Sequence, residues 1–119
     1  MSQENNVDQL SSMTPEELDS LPFGVIELSA DAKILKYNET EAAISGRDPK
    51  RVIGRNFFTE VAPCTAVKEF YGRFLDLIEH RAINYQFDFV FNFDPPTKVQ
   101  ITMLYEQREQ VVWVLVDKK

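Results

Sequence analysis

Three side chains able to share or move a proton stand four residues apart: Tyr37, Glu41 and Ser45. On a helix that spacing stacks them along one face. Farther along comes Pro63-Cys64, the chain's single thiol, just past a residue that stops helices. Together these groups allow a pocket that holds an anionic group between Tyr37 and Glu41 and anchors it covalently at Cys64. Each also has an ordinary reading. A lone cysteine is most often a small buried apolar side chain. Asn38-Glu39-Thr40-Glu41 is close to a capping box, with Asn38 as N-cap and Glu41 reaching back to its amide. Tyr37 suits a strand end, and Ser45 suits a helix end before Gly46. Taken one at a time, the ordinary readings win.

A cysteine nucleophile needs a basic partner, and His80 is the one histidine. Its place near the end of a helical stripe equally suits a side chain complementing the helix dipole. One cysteine and one histidine do not make a metal site, so no metal is expected.

The rest of the composition bounds the answer. A chain of 119 residues makes one domain with one core, and 44% hydrophobic residues with nine Phe are enough to drive burial. The net charge is −6, and Lys and Arg are scattered, which argues against nucleic acid or an anionic membrane as partner. No apolar run approaches a membrane span, and the first ten residues lack the regions of a signal peptide. A single cysteine fits a reducing compartment. A cytoplasmic monomer is expected.

Elements to position the candidate groups follow in order. Residues 1–13 show no apolar period and are expected to be loosely ordered. Thr14-Pro15-Glu16-Glu17 starts a helix with a capping box, and Leu18, Leu21 and Phe23 can fasten it to something larger. Strands are expected over 24–28 and 33–37, joined by the turn Ser29–Ala32. Short helices follow in 38–45 and 48–53, broken at Gly46 and Gly54. A further turn runs from Asn56 to Pro63. Phe70, Phe74, Leu77 and Ile78 form one stripe, predicting a long helix from Lys68 to Arg81. Residues 85–93 carry an aromatic or apolar group at alternate positions, Val99 to Tyr105 alternate likewise, and Val111–Val116 reads as a buried last strand. Strands, helices, then strands predict an α+β fold with an antiparallel sheet.

The run Tyr37-Asn38, Glu41, Ser45-Gly46-Arg47-Asp48-Pro49-Lys50, Val52-Ile53-Gly54, Asn56-Phe57-Phe58, Val61-Ala62-Pro63-Cys64-Thr65 closely resembles the photoactive yellow protein family. The likeness continues through Glu69-Phe70-Tyr71-Gly72 and Pro96-Thr97-Lys98-Val99 to Trp113, covering roughly residues 18–117. It implies a PAS fold: a five-stranded antiparallel sheet with helices on one face, a core over 21–119 and a detachable N-terminal cap over 1–20. It implies a blue-light photoreceptor, not an enzyme. Cys64 would carry 4-hydroxycinnamic (p-coumaric) acid as a thioester. Tyr37 and protonated Glu41 would hydrogen-bond its phenolate, Ser45 would support Tyr37, and Arg47 would be the gateway. Glu41 would be the proton donor after light-driven trans-to-cis isomerisation. Ile26, Phe57, Val61, Ala62, Thr65 and Phe91 would line the pocket. The partner implied is an unidentified downstream signalling protein.

The chain departs from that family's pattern in three places. Ser45 stands where many members have Thr, which keeps the hydroxyl. Phe93 replaces a Tyr. The Asp94-Pro95-Pro96 loop is shorter by about one residue and lacks the Met that assists chromophore return in the prototype, so slow dark recovery is expected. Two other readings remain beside this one: a PAS module that binds a ligand or partner without a covalent pigment, and a thiol enzyme using Cys64 and His80.

Overall fold

The computed structural model describes residues 6–80, 84–93 and 95–119. Five antiparallel strands form one sheet: β1 (Gly24–Leu28), β2 (Ile34–Tyr37), β3 (Asn84–Phe91), β4 (Thr97–Glu106) and β5 (Val111–Lys118), in the order β2-β1-β5-β4-β3. Between β2 and β3 lie α3 (Glu39–Ser45), α4 (Pro49–Val52), a π-helical turn at Phe57–Val61, a 3-10 turn at Pro63–Thr65, a second π turn at Lys68–Gly72 and α5 (Arg73–His80). Two short helices precede the sheet, α1 (Asn6–Ser12) and α2 (Pro15–Asp19). The expected α+β layout, with its five-stranded sheet and helical layer, is what the chain forms.

Alternation along the strands explains why the sheet is covered on both faces. Val112, Val114 and Val116 face the helical layer, where Phe57, Phe58, Phe70, Phe74 and Leu77 fill the main core. Val111, Trp113 and Leu115, one residue out of step on the same strand, join Val25 and Leu104 on the opposite face under Leu10 and Leu18. A register slip of one residue would exchange the two sets, so burial on both faces pins the pairing. Along β3 the odd residues Tyr85, Phe87, Phe89 and Phe91 turn inward, as their period of two requires.

Two expectations need correction. The segment before Thr14 is helical from Asn6 to Ser12, not loose; residues 1–5 lie outside the described residues. Val7, Leu10 and Met13 recur at spacings of three and pack against the sheet, so tertiary burial supports a helix too short to stand alone. Arg108 adds a polar tie, 3.8 Å from Asp8 of α1 and 3.7 Å from the buried Glu106. The stretch from Lys68 is also not one regular helix. The Val67 carbonyl accepts from the amides of Phe70, Tyr71 and Gly72, which opens the first turn wide before α5 begins. Phe70 and Phe74 are thereby both fully buried. The expected end at Arg81 lies outside the described residues. The capping box at Thr14 forms as expected, with Thr14 Oγ1 accepting from the Glu17 amide and Glu17 Oε1 accepting from the Thr14 amide. Among the described residues no helix is long and apolar enough to cross a membrane.

Candidate functional site

Tyr37 ends β2 and Asn38 caps α3, so the chain turns from strand to helix at the point where the candidate groups begin. Asn38 Oδ1 accepts from the Glu41 amide at 2.9 Å, as an N-cap does. The return half of the expected capping box is absent. The Asn38 amide donates instead to the Val25 carbonyl at 3.0 Å. That frees the Glu41 carboxyl to point inward, where it is 1% exposed and its Oε1 has no hydrogen-bond partner among the described residues.

An unpartnered polar atom inside a protein is costly, and burial drives the proton onto it. Burial pushes the Glu41 carboxyl up from 4.5 to about 8. At neutral pH Glu41 is therefore an acid with a proton to donate. Tyr37, 7% exposed, is also pushed well above its ordinary value, by burial first and by the neighbouring Glu41 second. Its hydroxyl lies 2.6 Å from Ser45 Oγ, and that same oxygen accepts from the Arg47 amide at 3.2 Å. The three proton-sharing residues thus meet in one place, on the strand end and one face of α3. Arg47 itself is exposed, just beyond the Gly46 cap.

Gly24 is a site residue that the sequence reading missed. A Cβ built on Gly24 would collide with Glu41 Oε1 and come within 3.1 Å of Glu41 Cβ. The backbone of β1 is thus the wall against which the carboxyl rests. A glycine opening a strand of bulky residues was the available signal. Gly24→Ala is expected to destabilise the protein by about 2 kcal/mol through overpacking. Urea unfolding checks this, and an unchanged midpoint would mean the carboxyl does not sit against β1.

Cys64 lies in the Pro63–Thr65 turn, half-buried, and packs against the main core cluster. That cluster contains Ile26, Tyr37, Phe57, Val61, Ala62 and Phe91, so these pocket residues and the thiol share one apolar region. Thr65 is fully buried and its hydroxyl donates to the Ala62 carbonyl at 2.6 Å. The Asn92 amide donates to Cys64 Sγ at 3.4 Å, which ties the thiol to the segment after β3. In that segment Phe93 stacks on Phe91 at 4.8 Å between ring centres. Asp94 lies outside the described residues. His80 pairs with Asp76 at 2.6 Å on the exposed side of α5. Among the described residues no contact joins His80 to Cys64, so the geometry gives the thiol-enzyme reading no support.

The same helix that carries Glu41 and Ser45 also holds the N-terminal segment. Asn38 Nδ2 donates to the carbonyls of Leu18 and Phe23 at 2.7 and 3.1 Å. Thr40 Oγ1 donates to the Leu21 carbonyl at 2.6 Å, and Asp19 Oδ1 accepts from the Glu39 amide at 2.9 Å. Sequence reasoning assigned Asn38 only a capping role and Thr40 none, because their partners lie some twenty residues earlier in the chain.

Comparisons with known proteins bear on the fold and the family. Residues 13–118 match the model of the PAS fold family. The chain is 41% identical to a photoactive yellow protein from Halochromatium salexigens over 93% of its length and 90% of that protein's. It is 37% identical to one from Rhodobacter capsulatus, covering 96% of this chain and 93% of that one. Among solved structures it is similar to the photoactive yellow protein domain of the sensor histidine kinase Ppr from Rhodospirillum centenum. There the TM-score is 0.89 and the identity 45%, over 93% of this chain and 98% of that domain.

Proposed function

We propose that this chain, which belongs to the photoactive yellow protein family and has its PAS fold, is a blue-light receptor carrying 4-hydroxycinnamic acid as a thioester on Cys64. The observation that carries this is Glu41: a buried, protonated carboxyl with an unpartnered oxygen, beside the Tyr37–Ser45 pair. An unpartnered carboxylic acid beside a tyrosine hydroxyl fits a phenolate, and a half-buried thiol against the same core fits its tether. When bound, the group supplies a conjugated ring that absorbs blue light and isomerises from trans to cis.

The residues of the chain do the rest. A free phenol ionises near ~10, so an anion at neutral pH needs several units of selective stabilisation, each worth about 1.4 kcal/mol. Tyr37 Oη and the Glu41 carboxyl donate two charge-assisted hydrogen bonds in a water-poor pocket. Ser45 Oγ holds the Tyr37 hydroxyl in place. Ile26, Phe57, Val61, Ala62, Thr65 and Phe91 exclude water, and Arg47 covers the entrance.

Glu41 is also the proton donor. Once its proton leaves, a carboxylate stands buried with no partner, at a cost on the order of several kcal/mol. Relief comes if α3 moves, and the start of α3 holds the cap through Asn38 to the Leu18 carbonyl and the Glu39 amide to Asp19. Residues 1–20 then come away as the cap while 21–119 remain as the photosensory core. A relocated charge is thereby read out as loosened structure. The exposed surfaces of core and cap are what a downstream signalling protein reads.

The test is reconstitution of the chromophore-free protein with an activated p-coumaroyl donor, followed by absorption before and after blue light. A yellow adduct that bleaches reversibly is expected from the wild type, and a complete loss of visible absorption from Cys64→Ala. Turnover of the thioester would point to an enzyme instead. No adduct at all would leave a plain binding module.

A further inference from the structure

We propose that Arg47, Arg51 and Arg55 form an anion cradle that docks the phosphates of the thiol carrier delivering the aromatic acyl group to Cys64. This rests on reading Cys64 as the attachment point. The three arginines recur every four residues, before, on and after α4, and all three are exposed. They line one cavity of about 530 Å³ together with Gly46, Asp48, Val52, Glu60 and Val61.

Concentration of charge sets this cluster apart: three of the chain's six arginines line one cavity. Among the described residues, Lys33, Lys36, Arg108 and Lys119 sit in ion pairs with carboxylates, and none of these three arginines does. The two acids in the cavity face backbone instead. Asp48 Oδ1 accepts from the Lys50 amide at 2.9 Å, and Glu60 Oε1 accepts from the Asn56 amide at 2.8 Å. Arg55 Nε donates to the Arg51 main-chain carbonyl at 2.8 Å, which holds the Arg55 side chain against the end of α4.

Position ties the cradle to the thiol. Val61, which lines the cavity, is also buried in the core cluster against which Cys64 packs. Arg47 follows directly on the Tyr37–Ser45 pair. A planar guanidinium binds phosphate through paired N–H groups, so three of them suit a ligand with more than one phosphate. A protein of net charge −6 repels such a ligand elsewhere, and a local cationic patch steers it in. In the transfer, Cys64 Sγ forms a bond to the acyl carbon while the carrier's sulfur–carbon bond breaks. The carrier leaves as a free thiol with the proton from Cys64, and nothing is oxidised or reduced.

The experiment follows adduct absorbance in the chromophore-free protein with two donors: p-coumaroyl-coenzyme A, which bears phosphates, and p-coumaroyl-pantetheine, which bears none. The double variant Arg51→Gln/Arg55→Gln should load about tenfold more slowly from the phosphate-bearing donor at low salt, because two exposed guanidinium groups no longer pair with phosphate. Loading from the phosphate-free donor should be unchanged, which also reports that the variant is folded. Arg51→Lys/Arg55→Lys should recover most of the rate, and added salt should shrink the difference. Equal slowing with both donors, or with neither, overturns the cradle alone. Failure of the wild type to load from either donor overturns the attachment reading, and the cradle with it.

Discussion

In chromophore-free protein, Glu41→Gln should remove most of the loss of stability that the wild type shows between about pH 5 and pH 8. The sign follows from where the proton binds. The folded carboxyl titrates near 8 and an ordinary one near 4.5, so in this window the unfolded chain ionises while the folded one stays protonated. The folded state holds more protons, and stability falls as pH rises, by about 1.4 kcal/mol per unit. Below the unfolded value the burial of Glu41 costs nothing electrostatically. Above the folded value the loss levels off, on the order of 5 kcal/mol. Gln keeps the shape and cannot ionise. Glu27, whose pKa is also raised by burial, has the same sign and remains, so some slope persists in the variant. Urea unfolding across pH 4 to 9 measures both proteins. A wild type with no slope in this range would show that Glu41 is not held in a buried, unpartnered position.

The same substitution has a second readout in the loaded protein. A neutral amide donates a weaker bond to the phenolate than a carboxylic acid, so negative charge spreads into the ring and absorption moves to the red. After light, no carboxylate can form at position 41. Cap release, followed by limited proteolysis before Gly24, should then be strongly reduced. An unaltered spectrum together with full cap release would remove Glu41 from the mechanism.

Asn38→Ala should be the most disruptive single change outside the pigment's own contacts. Asn38 is 3% exposed and uses its side chain four times: Oδ1 accepts from the amides of Val25 and Glu41, and Nδ2 donates to the carbonyls of Leu18 and Phe23. At about 1 kcal/mol net per hydrogen bond, with the buried Val25 amide left stranded, the loss is about 4 kcal/mol. That is a large fraction of the roughly 5–15 kcal/mol that holds a domain together. The cap should also be loose in the dark, because two of the four bonds reach residues before β1. Urea unfolding gives the first number and dark-state proteolysis of the N-terminal segment gives the second. A loss under about 1 kcal/mol with the cap still protected would show that Asn38 is an N-cap and nothing more.

How much of this was legible beforehand differs by element. The strands over 24–28 and 111–116, the alternation from Tyr85 to Phe91 and the Thr14 capping box follow from period and local chemistry, which act over a few residues. The meeting of Tyr37 with Ser45 was implied by the family resemblance; spacing alone puts both on one helix face, whereas Tyr37 ends β2. What position 41 does was legible only through the family resemblance, not from its neighbours in the chain. Its local pattern asks for a carboxyl folded back on its own helix cap. The Val25 carbonyl takes the Asn38 amide instead, and the missing Cβ of Gly24 leaves the carboxyl a place to go. Both determinants lie on a strand more than ten residues earlier, beyond the reach of any local pattern.

The sequence by itself determined the sheet, the helical layer, the family, and which side chains are candidates for the site. Only the tertiary structure decided that Glu41 is buried without a partner, that α1 is a helix, and that α3 joins the candidate pocket to the N-terminal segment. The physical reason is that the first set depends on chain periodicity and residue chemistry. The second depends on which distant backbone groups compete for the same hydrogen bonds once the sheet has closed.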